Sequence, residues 1–111
     1  MIEVIVLSFL SERLSVPVYP EFPADPPERF VVLRKADSGR ENMLDSAMFV
    51  ADSYAEPLLE AAKLNEQVKA ALDALTQIDE VCSVNRGGDY PAFDTKNKRH
   101  RYQAVYNISH Y

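Results

Sequence analysis

Few side chains in the sequence are suited to covalent chemistry. Nucleophilic catalysis needs a nucleophile, a base within hydrogen-bond reach and a group that orients the base. The two histidines, His100 and His110, lie in a basic loop and at the end of the chain. The single cysteine, Cys82, stands in a predicted strand among apolar residues, where a free cysteine usually acts as a small buried hydrophobe. The sequence therefore predicts no catalytic residues and a protein that is not an enzyme.

Metal and cofactor sites are not predicted either. The sequence contains no CxxC or HxxxH spacing of the kind that binds zinc. Asp37, Gly39 and Glu41 resemble part of a calcium loop, but the ligands are too few and their spacing is wrong, so an exposed turn is favoured. A phosphate cradle needs closely spaced glycines before a helix, and neither Gly39 nor the pair Gly87-Gly88 precedes one. No metal and no cofactor are expected.

The charge of the chain restricts its partners. The 111 residues carry a net charge of -5. An acidic surface repels phosphates, which argues against sequence-specific nucleic-acid binding and against docking on anionic membranes. One cysteine cannot form an internal disulfide, which favours a reducing compartment. No apolar run reaches membrane-spanning length, and the first ten residues lack a basic leader, so we expect an unprocessed cytoplasmic protein.

One basic cluster stands out in this acidic chain. It consists of Lys96, Lys98, Arg99, His100 and Arg101. A solvated hairpin loop is the favoured interpretation, and phosphate contact is the alternative. A basic loop on an acidic molecule also suits docking on an acidic face of a neighbouring copy. Asp94 and Arg101 bracket the loop and are expected to pair across it.

A proline-rich segment is the second unusual feature. Its prolines are Pro17, Pro20, Pro23, Pro26 and Pro27. Each removes a backbone donor, so the segment is an edge strand running into a stiff loop. A ligand for an aromatic groove is the alternative. Tyr19, Phe22 and Phe30 flank the prolines, and their rings either cover the sheet or meet a neighbour.

The elements that position these loops follow from periodicity. Residues 2–14 fit a helical stripe better than a strand, although a β-branched run at residues 4–6 favours a strand. Strands are predicted at 16–19, 29–35, 43–54, 80–86 and 101–109, with a turn at 36–42, a bend or bulge at 87–89 and extended structure at 90–94. A long amphipathic helix is predicted over 56–77.

That long helix carries two further expectations. Ser53 and Glu56 resemble a capping box, although Pro57 favours a later start. Its solvent-exposed face is marked by Lys63, Glu66, Lys69 and Asp73. Together the elements predict one α+β domain over residues 1–111, with a twisted, mostly antiparallel sheet of four to five strands and two helices packed on one face.

A family resemblance follows from the order of these elements. Val16–Tyr19 precedes the proline loop, Pro27–Leu33 follows it, and Met48–Ala55 runs into the Ala/Leu helix. The chain closes with Tyr90–Asp94 and Arg101-Tyr102. This arrangement resembles the small tail-completion, or tail-terminator, proteins of long-tailed, siphovirus-type bacteriophages and prophages. The resemblance covers residues 1–108.

The resemblance implies a structural role. It implies a ring, expected to be a hexamer, that caps the finished tail tube, stops its growth and offers a surface to the head–tail connector protein. Its partners are then further copies of itself, the tail-tube protein and the connector. It implies a location in the host cytoplasm during assembly and at the head–tail junction of the virion. The alternatives are a small protein-binding adaptor and another head-completion protein.

The interface residues expected for this role lie in the two loops. Ring closure needs a heterologous contact whose rotation closes. The proline loop, residues 19–29, and the basic loop, residues 96–101, are the candidate contact regions. The candidate interface residues are Tyr19, Phe22, Arg29, Asp94, Lys96, Lys98, Arg99 and Arg101.

Overall fold

Two helices lie on one face of a five-stranded sheet in the computed structural model, which describes residues 1–111. The elements are α1 (Ile2–Arg13), β1 (Val18–Tyr19), β2 (Phe30–Glu41), β3 (Leu44–Tyr54), α2 (Leu58–Asp73), a 3-10 turn (Ala74–Gln77), β4 (Val81–Pro91) and β5 (Arg101–His110). The α+β fold predicted from the sequence is confirmed.

The sheet is mostly antiparallel. Its strand order is β1-β2-β3-β5-β4, and only the two-residue strand β1 runs parallel to its neighbour. Alternate residues of the central strands face the helices, among them Phe49 and Ala51 of β3 and Tyr106 of β5. The opposite face carries Phe30 and Tyr54, which form a smaller apolar cluster. Both faces of β3 are therefore buried, which explains why its sequence does not alternate strictly.

The first segment is a helix, as the stripe predicted. Ile2, Val6 and Leu10, spaced four apart, are buried against the sheet. Burying a large aliphatic side chain contributes about 1.5–3 kcal/mol. That gain exceeds the few tenths of a kcal/mol by which a β-branched residue disfavours a helix. Tertiary packing therefore decides the conformation of this segment.

The capping box predicted for α2 is wrong. Ser53 is fully buried within β3, where it pairs with Val31 on one side and Tyr102 on the other. The helix is instead preceded by Pro57, whose extended backbone forms the N-cap without a side-chain hydrogen bond. Strand pairing fixes Ser53 in the sheet, so its hydroxyl is not available to a helix end.

The turn predicted at residues 36–42 is also wrong. Strand β2 continues through this polar segment to Glu41, with one bulge between Lys35 and Asp37. The chain reverses at Asn42 and Met43, which both have positive φ, as in the two-residue turns that suit β-hairpins. The distal half of β2 is exposed on both sides. It needs no apolar residues, which is why its composition resembles a loop.

Two predictions of burial are wrong, one for a residue of strand β4 and one for a residue of α2 that contacts β4. Cys82 is exposed, because β4 is an edge strand and its pairing with β5 shifts register at this residue. Lys69 is buried, because its ammonium Nζ lies 2.8 Å from Asp89 Oδ2 on β4. The same carboxylate oxygen accepts a 2.8 Å hydrogen bond from the Asn65 amide. The hydrogen bond from Lys69 lowers the pKa of Asp89, and the network ties α2 to β4.

The bulge predicted at the glycine pair is confirmed. Register between β4 and β5 shifts between Arg86 and Asp89. A β-carbon on Gly87 would lie 2.9 Å from the carbonyl oxygen of Val105, whereas one on Gly88 would meet nothing within 4 Å. Gly87 therefore allows the two backbones to approach, and the bulge directs Asp89 toward Lys69.

Candidate functional site

The two loops selected from the sequence meet at one end of the sheet. Strands β2 and β5 begin there and strands β3 and β4 end there, as the pairs Phe30 with Tyr54 and Tyr54 with Arg101 show. We call this the proline-loop end. The opposite end, where Glu41 pairs with Leu44 and Val81 pairs with His110, is called the hairpin end.

An aromatic cluster supports the proline loop. The rings of Phe30 and Tyr54 stack with centroids 4.7 Å apart. Phe22 packs edge-on against both, and Tyr19 packs edge-on against Phe30. Such aromatic pairs add about 0.5–1.5 kcal/mol each beyond the area they bury. Tyr19 and Phe22 are half-buried, and their rings cover the sheet face that the helices leave open.

Asp94 organises the basic loop. Its Oδ2 accepts hydrogen bonds of 2.8 Å from the Tyr54 hydroxyl and from the Asn97 side-chain amide. Its Oδ1 accepts a 3.2 Å bond from the Asn97 backbone N–H. The backbones of Asp94 and Arg99 exchange two further hydrogen bonds. Burial acts to raise the pKa of Asp94, but these hydrogen bonds outweigh it and the pKa is lowered.

Arg101 completes this network. Its Nη1 lies 3.2 Å from the Tyr54 hydroxyl oxygen and 3.8 Å from Asp94 Oδ2, so the predicted pairing of Asp94 with Arg101 is present. Its Nε donates to the Ala92 carbonyl at 3.0 Å. Burial, together with the nearby Asp94 carboxylate, raises the pKa of Tyr54 to about 12. Asp94 and Arg101 therefore act as internal supports of the loop.

The other basic residues point outward or bridge the loops. Lys96 and Lys98 are exposed, and neither has a carboxylate oxygen within 4.0 Å. Arg99 is half-buried and its Nη1 donates to the Pro27 carbonyl at 3.4 Å. Its guanidinium also lies 5.7 Å from the centroid of the Phe30 ring. Arg99 thereby joins the two loops into one surface.

A charged cavity of about 320 Å³ lies in this surface. It is lined by Glu28, Arg29, Glu56, Glu60 and Arg99. The Nε of Arg29 is buried and has no hydrogen-bond partner. Glu56 accepts a 3.0 Å hydrogen bond from the His100 backbone N–H, and its other carboxylate oxygen lies 3.6 Å from the His100 ring.

Two exposed apolar side chains at the same end were not predicted from the sequence. Phe93 is 50% exposed and packs edge-on against the His100 ring. Leu59, in the first turn of α2, is 65% exposed. The adjacent leucines at 58 and 59 were not a signal for Leu59, because adjacent residues of α2 are both buried elsewhere, as Ala71 and Leu72 are. No sequence signal singles out Phe93, because its exposure depends on where the loop folds.

Elsewhere the surface offers two open strand edges. Strand β1 pairs only with Val31 and Val32, so the rest of β2 has no neighbour on that side. Strand β4 is the other edge of the sheet. An apolar groove of about 510 Å³ runs beside the β2 edge, lined by residues that include Val4, Leu7 and Leu33. Open edges and grooves of this kind bind other chains through backbone hydrogen bonds.

Nowhere do three histidine, cysteine or carboxylate side chains converge closely enough to hold a metal ion. Neither helix has the length and apolar character needed to cross a membrane. The sequence matches no protein-family model. No curated protein matches it either. The described surface presents exposed charges, exposed apolar side chains and two open strand edges.

Proposed function

We propose that the protein is a structural assembly protein of a phage tail. In this role copies of the chain close into a ring at the end of the tail tube, stop its growth and join the tail to the head connector. The resemblance of the sequence to tail-terminator proteins supplies the specific role. The composite surface at the proline-loop end supplies the structural support, because it combines exposed charge and apolar side chains on a rigid base.

The hydrogen bonds within and between the two loops of this surface are the observation that carries the proposal. The exposed lysines Lys96 and Lys98 belong to a turn whose backbone is closed by Asp94 and Arg99. The turn rests through Arg99 on the proline loop. A surface that is ordered before binding loses less conformational entropy on association. This is the property that a repeated contact between subunits requires.

The sheet also offers the two unlike surfaces that a ring contact requires. Its two open edges are unlike, since one is the distal half of β2 and the other is β4. A contact between unlike surfaces is heterologous, and it repeats from copy to copy until rotation closes it. Contact of the β2 edge of one copy with the β4 edge of the next therefore produces rings or filaments.

The state of assembly tests the proposal. The purified protein is examined by size-exclusion chromatography with light scattering and by negative-stain electron microscopy. We expect a closed ring of uniform size, alone or on the end of purified tail tubes. A chain that stays monomeric at high concentration and leaves tail tubes uncapped contradicts the proposal.

A second candidate function rests on the open β2 edge beside its apolar groove. A protein-binding adaptor would add a strand of one partner at this edge and remain a monomer. The same light-scattering measurement separates the two, because an adaptor gives a one-to-one complex with its partner. A head-completion protein is the third candidate, and it binds isolated head connectors in preference to tail tubes.

A further inference from the structure

The apolar groove beside strand β2 continues the line along which β1 joins the sheet. Strand β1 runs parallel to β2 and pairs with Val31 and Val32. The Val31 N–H donates to the Pro17 carbonyl at 2.9 Å. No strand accompanies β2 on this side beyond Val32, and Pro20, the residue after β1, lines the groove. The groove therefore begins where the chain's own strand leaves the edge.

The backbone of β2 can pair with a further strand at this point. In an antiparallel pair such as β2 and β3, the backbone groups of every second residue point away from the partner strand. Because the Val31 N–H points to β1, the groups of Leu33 and Lys35 point to the same side. The Lys35 groups lie beyond the residues that β1 pairs with, so they face no strand. Such groups bind an extended chain through backbone hydrogen bonds.

The walls of the groove are apolar. Helix α1 contributes Met1, Val4 and Leu7, and the sheet contributes Leu33 and Phe49. Met1 is 80% exposed and Val4 is 55% exposed. The volume of about 510 Å³ lies in the range of about 300–1,000 Å³ that is usual for ligand sites. Apolar side chains placed in the groove would leave water together with these exposed walls.

The charged residues of the groove are already paired. They are Glu3, Arg34 and Lys35. Lys35 Nζ lies 3.0 Å from Glu3 Oε2, and Arg34 Nε lies 3.6 Å from Asp52 Oδ2. A charged side chain entering the groove would lose hydration without gaining a free opposite charge. The groove therefore favours an uncharged occupant.

The chain's own edge strand shows the side-chain pattern that fits beside β2. Val16 and Val18 are half-buried and pack against the main core, whereas Pro17 between them is exposed. Successive side chains of an extended segment point to opposite faces. An occupant that continues this line therefore needs aliphatic side chains at alternate positions.

The distal part of the β2 edge is closed to a partner. A bulge follows Lys35, and the Ser38 N–H already donates to Asp37 Oδ1 at 2.9 Å. The charged residues Arg40 and Glu41 follow, and charged side chains protect an edge strand from further pairing. The accessible edge is therefore the short segment that borders the groove.

We propose that this groove binds an extended, uncharged peptide segment of another protein. The segment pairs with the backbone of Lys35 and places alternate aliphatic side chains against Val4 and Leu33. The inference names the ligand for the open edge on which the second candidate function rests, and it does not depend on ring closure.

A synthetic peptide tests the site. The probe is the acetylated and amidated hexapeptide Ser-Val-Ser-Val-Ser-Val, and its affinity for the full chain is measured by isothermal titration calorimetry. We expect saturable binding that slows hydrogen exchange at residues 33–35, and at least about tenfold weaker binding when the central valine is replaced by aspartate. Absence of binding, or equal binding of the aspartate peptide, contradicts the proposal.

Backbone methylation separates strand addition from simple apolar adsorption. Two further peptides carry N-methyl groups on alternate amides, in the two possible phases. The phase that blocks the amides facing β2 should lose binding, and the phase that blocks the amides facing away should bind like the unmodified peptide. Equal affinities of the two methylated peptides contradict pairing with β2.

A substitution on the groove wall completes the test. Val4→Asp should weaken peptide binding at least about tenfold, whereas the matched control Ser8→Asp, at an exposed position of α1 that does not line the groove, should leave it unchanged. Circular dichroism checks both folds. If Val4→Asp instead alters the sedimentation of the protein alone, a second copy occupies the groove and the inference is wrong. Rings without peptide binding overturn this inference alone, and peptide binding without rings overturns the ring proposal alone.

Discussion

The hydroxyl group of Tyr54 donates a 2.8 Å hydrogen bond to the Asp94 carboxylate and thereby joins the end of strand β3 to the loop that follows β4. The two residues lie 40 positions apart in the sequence. Tyr54 is packed against Phe30, and Asp94 closes the turn that presents Lys96 and Lys98. The aromatic cluster and the basic loop are therefore parts of one supported surface.

Substitution of Asp94 tests this support. Asp94→Ala leaves the Tyr54 hydroxyl and the Asn97 amide without their acceptor and removes the carboxylate opposite Arg101. We expect the free energy of unfolding to fall by about 2 kcal/mol, because an unsatisfied buried polar group costs about 1–3 kcal/mol. Urea denaturation followed by circular dichroism measures the change. Asp25→Ala, at an exposed residue of the proline loop, is the control and should change stability by less than about 0.5 kcal/mol.

The same carboxylate makes stability depend on pH. Its pKa in the folded protein is lowered from the ordinary value of 3.8. A lowered pKa means that the folded state favours the ionised form, so the stabilisation is complete above pH 3.8 and is lost as pH falls through the folded pKa. We expect the free energy of unfolding of Asp94→Asn to fall less steeply below about pH 4 than that of the wild-type protein. An acid transition identical to that of the wild-type protein would show that Asp94 does not contribute to it.

The buried ammonium of Lys69 provides a third prediction. Lys69→Met removes the partner of Asp89 and leaves a carboxylate in a partly buried site. We expect the free energy of unfolding to fall by about 2–4 kcal/mol, since breaking a buried pair costs about 3–5 kcal/mol and Asp89 keeps some solvent contact. Lys63→Met removes an exposed pair with Glu60 on the same helix and should cost less than about 1 kcal/mol. An equal loss of unfolding free energy in the two variants would indicate that the Lys69 ammonium is exposed to solvent.

The glycine pair gives a matched comparison at the bulge of β4. Gly87→Ala places a β-carbon 2.9 Å from the Val105 carbonyl oxygen, and such crowding costs about 1–3 kcal/mol. Gly88→Ala meets open space, and neither glycine has a positive φ. We therefore expect Gly88→Ala to be neutral or to stabilise by up to about 1 kcal/mol. The thermal unfolding midpoints of the two variants measure the difference. A lower midpoint for Gly87→Ala alone indicates that the close approach of β4 to β5 requires glycine at that position, and equal midpoints contradict this.

The sequence predicted the elements best where one face is apolar. The buried residues of α1 and α2 recur at helical spacing, and the stripe of β5 recurs every second residue, because burial acts on one side of each element. Prediction failed where burial was absent or came from elsewhere. The distal half of β2 is exposed on both sides and resembled a turn, while Lys69 is buried by a partner 20 positions away.

By itself the sequence determined the α+β class, the order of the elements and the two unusual loops, since these depend on local periodicity, on proline and on charge. Only the tertiary structure decided that Arg99 contacts Pro27, 72 positions away, and that Asp94 and Arg101 support the loop from inside. These relationships depend on strand order and register, which are set by packing between distant segments.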